Sequence, residues 1–174
     1  MQHKKAFIGI LCALFVGLIG VHVVAESPPY DETMRDNIIQ NCVTAQVSLQ
    51  QVKYNDAATR VNRGQTYEVL LSRYMTPLNT KTVANNYTER ATKLIDITSR
   101  FQKVHNDFKR DYEKYDTNLS EIIKQPCSKN PEAFYEKLQT IRSQRAKLMN
   151  DVKQLDQYAE EYRQQVVALK GELK

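Results

Sequence analysis

Residues 134–173, FYEKLQTIRSQRAKLMNDVKQLDQYAEEYRQQVVALKGEL, decide the fold. Phe134, Leu138, Ile141, Arg145, Leu148, Val152, Leu155, Ala159, Tyr162, Val166, Leu169 and Leu173 recur at alternating steps of four and three, and all but Arg145 are apolar. Such a stripe stays on one side of a long helix and has to be covered by other helices.

A second copy of the same helix is one candidate cover. Val152 and Val166 at one heptad position, with Leu148, Leu155 and Leu169 at the other, suit a parallel dimer. The flanking residues argue against it. In parallel register Lys137 would face Arg142 and Asp151 would face Asp156, both like-charged. Tyr135, Met149 and Tyr158 widen the apolar face beyond a two-helix seam. The sequence therefore predicts that earlier helices of the same chain cover it. Arg145 is expected to snorkel or to pair with a carboxylate on one of them.

Working back from the seam, Asn130-Pro131-Glu132 reads as a helix start with a cap, a first-turn proline and an early carboxylate, and Pro126 stops the helix before it. That preceding helix, about 86–125, carries Leu94, Ile97, Phe101, Val104, Phe108, Tyr112, Tyr115, Leu119 and Ile122, with a stutter at Val104–Phe108–Tyr112. Asn86 followed by Glu89 resembles a capping box at its start. The first helix, about 30–76, carries Met34, Ile38, Cys42, Ala45, Leu49 and Val52, then Tyr67, Leu71 and Tyr74. Ser27 or Asp31 is suited to cap it, Gly64 suggests a kink, and Pro77 interrupts it. The predicted class is all-α: an elongated antiparallel up-down-up three-helix bundle or coiled coil, with helices at about 30–76, 86–125 and 131–173.

The N-terminus has a different composition. Met1–Lys5 is a basic lead, Ala6–Gly20 is apolar, and Val23-Val24-Ala25 offers small or modest residues for a signal peptidase. Residues 1–25 read as a signal peptide cut between Ala25 and Glu26, or as an uncleaved anchor with residues 6–25 in the membrane. Both readings export residues 26–174. Cys12 follows Leu11, where a lipoprotein signal needs a small residue, so acylation is not expected. The exported part keeps Cys42 and Cys127, an even count that predicts a disulfide in an oxidising compartment. If the bridge forms, equal distances along antiparallel helices from these cysteines put the first reversal near Ala84-Asn85-Asn86 rather than at Pro77; in that case the first helix runs to about 84 and Pro77 kinks it.

Charge and chemistry are ordinary. Setting aside Lys4 and Lys5 takes Lys+Arg from 25 to 23 against 20 Asp+Glu, too even a balance for a nucleic-acid stripe. His105, the histidine left after the leader, reads as a surface or rim residue. No glycine-rich phosphate loop, metal-ligand spacing or nucleophile–base pair stands out. We therefore expect no enzymatic activity, catalytic residue, cofactor, metal or small-molecule substrate.

The run Phe108-Lys109-Arg110-Asp111-Tyr112-Glu113-Lys114-Tyr115, then Leu119, Cys127, Pro131 and Phe134-Tyr135, resembles small exported helical proteins of candidate-phylum bacteria. Arg60-Val61-Asn62-Arg63-Gly64-Gln65 with Tyr67-Glu68 is similar to them too. The resemblance spans most of 45–162 and implies an envelope location without naming an activity. In outline the chain is also similar to jellyfish-shaped periplasmic holdase chaperones, which begin with a strand that nothing after Ala25 matches. The expectation is an interaction or spacer module at the cell envelope, with an unidentified protein partner. A holdase chaperone and a membrane-surface binder are the alternatives.

Overall fold

The structure, a computed structural model, describes residues 30–172. Among these the regular elements are helical and no strand is present. The first arm comprises α1 (Glu32–Gln40), α2 (Cys42–Val69), a π-helical segment (Leu70–Met75) and α3 (Thr76–Ala84). The two long helices are α4 (Thr88–Lys124) and α5 (Pro131–Glu172). The junction Ala25–Glu26, the apolar segment 6–25 and the last seam position, Leu173, lie outside the described residues.

Local chemistry sets the boundaries. Asp31 caps α1, its carboxylate accepting from Met34 N at 2.7 Å. At Asn41 the side-chain amide bonds back to the Asn37 carbonyl and side chain, 3.0 and 2.7 Å, and α1 gives way to α2. Gly64 lies inside α2, which continues through it to Val69. The irregularity falls instead at Leu70–Met75, just before Pro77. A proline ring collides with the carbonyl four residues earlier, here Arg73. The turn is widened where Thr76 N–H bonds to the Leu71 carbonyl, a five-residue step. This leaves Pro77 in the first turn of α3, where its missing N–H matters least.

The chain turns at Asn85-Asn86. Asn86 has φ 62°, a left-handed conformation that asparagine tolerates. The turn is held by Asn86 N–H to Val83 O at 3.0 Å and Tyr87 N–H to Thr82 O at 3.1 Å. Asn86 therefore serves the turn, and α4 begins at Thr88 with no side-chain cap, in place of the capping box with Glu89. At the far end Gln125 is extended ahead of Pro126, and Asn130 accepts from Ala133 N at 3.3 Å to start α5 at Pro131.

Cross-helix partners give the sense of packing. Cys42 meets Cys127 at disulfide-bonding distance, their Cα atoms 5.6 Å apart. Gln46 donates to the carbonyls of Ile123 and Gln125 at 3.0 and 2.9 Å. Lys53 then reaches Ser120, Tyr115 reaches Asp56, Lys109 reaches Glu68, and Asn79 reaches Thr98. Numbers fall along α4 as they rise along the first arm. The α4–α5 partners run the same way, from Glu121–Lys137 through Asn118–Gln144 to Arg100–Glu161.

Every described apolar position of the α5 seam is buried or half-buried, while Arg145 alone is exposed. Phe134, Ile141, Leu148, Leu155 and Tyr162 share one core with Phe101, Phe108, Tyr115, Leu119 and Ile122 of α4 and with Tyr67 and Met75 of the first arm. Near Pro77 the core is polar. Tyr162 OH reaches Asn79 Oδ1 at 2.8 Å and the Met75 carbonyl at 3.1 Å, and Asn79 donates to Thr98 at 2.9 Å. Burial pushes the Tyr162 phenol up to about 12, so it stays a donor.

The bridge spans 85 residues of chain. Replacing both Cys42 and Cys127 by serine is expected to lower unfolding stability by about 4–5 kcal/mol, since the closed loop restricts the unfolded chain. Denaturant midpoints of the two proteins check this. Alkylation of the unreduced protein should leave its mass unchanged apart from the leader cysteine.

Candidate functional site

Midway along the molecule α2 and α5 meet through long side chains rather than close backbone packing, leaving a groove of about 410 Å³. Its floor is Phe108, Tyr112 and Tyr115 of α4, with Leu148 and Val152 of α5. Its rim is charged. Asp56, Arg60 and Arg63 follow at steps of four and three on α2, and Arg145, Lys153 and Asp156 stand opposite on α5.

Two ionic staples cross the groove. Arg145 forks onto Asp56 with bonds of 2.8 and 3.0 Å, and Tyr115 OH donates to the same carboxylate at 2.6 Å. Arg63 donates to Asp156 and to Tyr67 OH, each at 3.1 Å, while Tyr67 OH donates to Asp156 at 2.8 Å. The Arg60 guanidinium lies over the Tyr112 ring, 5.3 Å from its centroid. Burial pushes the Asp56 carboxyl up, but the hydrogen bonds from Arg145 and Tyr115 outweigh it and hold the group below its usual range. Burial and the neighbouring Asp56 both push the Tyr115 phenol up. Apart from Lys153 these groups bind one another, so the groove combines an aromatic floor with a largely fixed rim. Among the described residues no group of His, Cys, Asp and Glu is placed to hold a metal ion.

His105 corrects the expectation of a surface or rim position. It is buried to 1% exposure beside Tyr67 and Phe101, with Nδ1 4.0 Å from Glu68 and Nε2 without a hydrogen-bond partner. The signal was available. Phe101, His105 and Phe108 step by four and three, and His105 rather than Val104 takes the innermost place in that turn. Burial lowers its pKa, Lys109 lowers it further, and Glu68 opposes them, so the ring is neutral at neutral pH.

The outer face of α2 is a second feature that sequence periodicity did not single out. From Val43 to Asn62 its exposed positions carry no charge. Val43, Val47, Tyr54 and Val61 are 73%, 64%, 63% and 45% exposed, with Ala58, Thr, Ser, Asn and Gln between them. The charged residues of this stretch are turned away toward partners: Lys53 to Ser120, Asp56 to Arg145, Arg60 to Tyr112. The readable sign was the run from Cys42 to Val52, eleven residues without a charge in a chain that is 26% charged.

No family model, curated protein or solved structure matches this chain. Among the described residues no helix is long and apolar enough to cross a membrane.

His105 and Asp56 predict a two-stage acid response. His105 folds with a pKa below its ordinary 6.5, so the unfolded chain binds more protons and stability falls as pH drops below about 6.5. Asp56 folds with a pKa below 3.8, so its contribution is full above that value and is lost as pH falls through the folded pKa. Urea midpoints across pH are expected to show a flatter upper stage in His105→Gln and a flatter lower stage in Asp56→Asn. Asp56→Asn should also cost about 1–3 kcal/mol at neutral pH, because Arg145 loses its partner.

Proposed function

We propose that the chain is a non-enzymatic interaction or spacer protein of the cell envelope, an elongated up-down-up three-helix bundle that presents one uncharged helix face to a protein partner. The observation that carries this is the face of α2, where valines and a tyrosine stay exposed and charge is withdrawn. Depletion of charge with retention of aromatic residues marks the centre of protein interfaces. The falling and rising partner numbers between the first arm, α4 and α5 support the up-down-up path. The apolar leader supports export, and the paired Cys42 and Cys127 suit an oxidising compartment. The resemblance to small exported helical proteins points the same way.

Photo-cross-linking in cells tests this reading. A photoreactive phenylalanine at Val47 or Tyr54 is expected to yield discrete protein adducts in the envelope fraction, and one at Val167 is not. A cytosolic protein, or equal adducts from all three positions, would overturn it.

The groove between α2 and α5 favours a second reading, a holdase chaperone that shelters apolar client segments over Phe108 and Tyr112. That reading expects the chain to suppress aggregation of a denatured protein at equimolar ratio, and to lose this on Val152→Lys. No suppression would discard it.

A further inference from the structure

We propose that the uncharged face of α2 docks antiparallel on the same face of a second copy of this chain, with the twofold axis at Tyr54. This rests on the reading of that face as an interaction surface and names its occupant.

Charge is the first argument. A face with no charge offers no pattern for an oppositely charged partner to match. Laid on itself it brings no like charges together. Arg63, the next charged residue along α2, is exposed but paired with Asp156 at 3.1 Å, and it bounds the uncharged face. The exposed positions of α5 are dense in Lys, Arg, Asp and Glu, and a parallel α5 pairing would oppose Lys137 to Arg142 and Asp151 to Asp156.

Spacing is the second argument. Val47 and Val61 lie seven residues to either side of Tyr54. A twofold axis at Tyr54 therefore sets Val47 of each copy against Val61 of the other, and Gln50 against Ala58. Tyr54 meets Tyr54 at the centre, where aromatic anchors contribute most to binding. Steps of seven keep these contacts on one side of both helices.

Size sets the strength. The face from Val43 to Asn62 is about 30 Å long at 1.5 Å per residue. Two such faces bury on the order of 1,000 Å², near the lower bound for a specific interface. A reversible dimer in the micromolar range is expected rather than a permanent one.

Sedimentation equilibrium of the full chain tests this. A monomer–dimer equilibrium is expected, with Tyr54→Lys weakening it at least tenfold at unchanged helix content, because two lysines would meet on the axis. Ile95→Lys, on an exposed position of α4, should leave it unchanged. Tyr54→Cys should form a reductant-sensitive dimer more readily than Val43→Cys or Val167→Cys. A chain that is monomeric throughout, a dimer indifferent to Tyr54→Lys, or equal cross-linking at all three cysteines would overturn the proposal. A monomer that still photo-cross-links to another envelope protein from position 54 would overturn the dimer and leave the interaction reading standing. A monomer with no such adduct would overturn both.

Discussion

The α5 seam imposes the constraint from which the other features follow. A helix of 42 residues, about 63 Å long, carries an apolar edge for its whole length and cannot hold it in water. α4 supplies most of the cover with Phe101, Phe108, Tyr115, Leu119 and Ile122, and the first arm completes it with Tyr67 and Met75. Arg145, the one polar member of the seam, falls where the first arm stands off, and Asp56 reaches it there. The interruption in the seam and the groove thus coincide: the charged residue of the seam stands where the helices are apart, and ion pairs cross the space over aromatic rings.

Covering a straight edge with an arm that contains Pro77 requires an adjustment. The π-helical turn at Leu70–Met75 provides it, letting the arm run on to Ala84 instead of ending at the proline. The widened turn also shifts which faces point inward. Asn79 comes to rest in the core, where Tyr162 and Thr98 satisfy it. A buried asparagine with fixed partners from two other helices pins the register of the arm against them, because sliding would leave polar groups unpaired in an apolar surround.

Much of this was legible in the residues. The seam from Phe134 to Leu169, the stop at Pro126 and the start at Asn130-Pro131 rest on local rules that the tertiary structure does not override, and of the two expectations for Arg145, snorkelling or pairing with a carboxylate, the contact with Asp56 selects the second. The rest was hidden for identifiable reasons. Gly64 looks like a break, yet a single glycine costs only about 1 kcal/mol in a helix that is otherwise packed, and α2 passes through it. His105 was misplaced because periodicity ranks positions by apolarity, and a neutral imidazole among Tyr67 and Phe101 behaves as an apolar ring. The groove was invisible because it depends on how far α2 and α5 stand apart, which no single helix records. The uncharged face of α2 was visible, but as a lack of residues rather than a pattern of them.

The function we propose rests on a surface. The paired groups of the groove bind one another, His105 is sealed in the core, and the α2 face is exposed and uncharged. All of this presupposes that the α5 edge is covered within one chain. Thiol labelling of Leu155→Cys, with Met149→Cys as the exposed neighbour, tests that most directly. Intramolecular cover predicts that the thiol at position 155 is protected by orders of magnitude relative to that at 149, unchanged on dilution. Equal labelling of the two, or protection that vanishes as the protein is diluted, would contradict it.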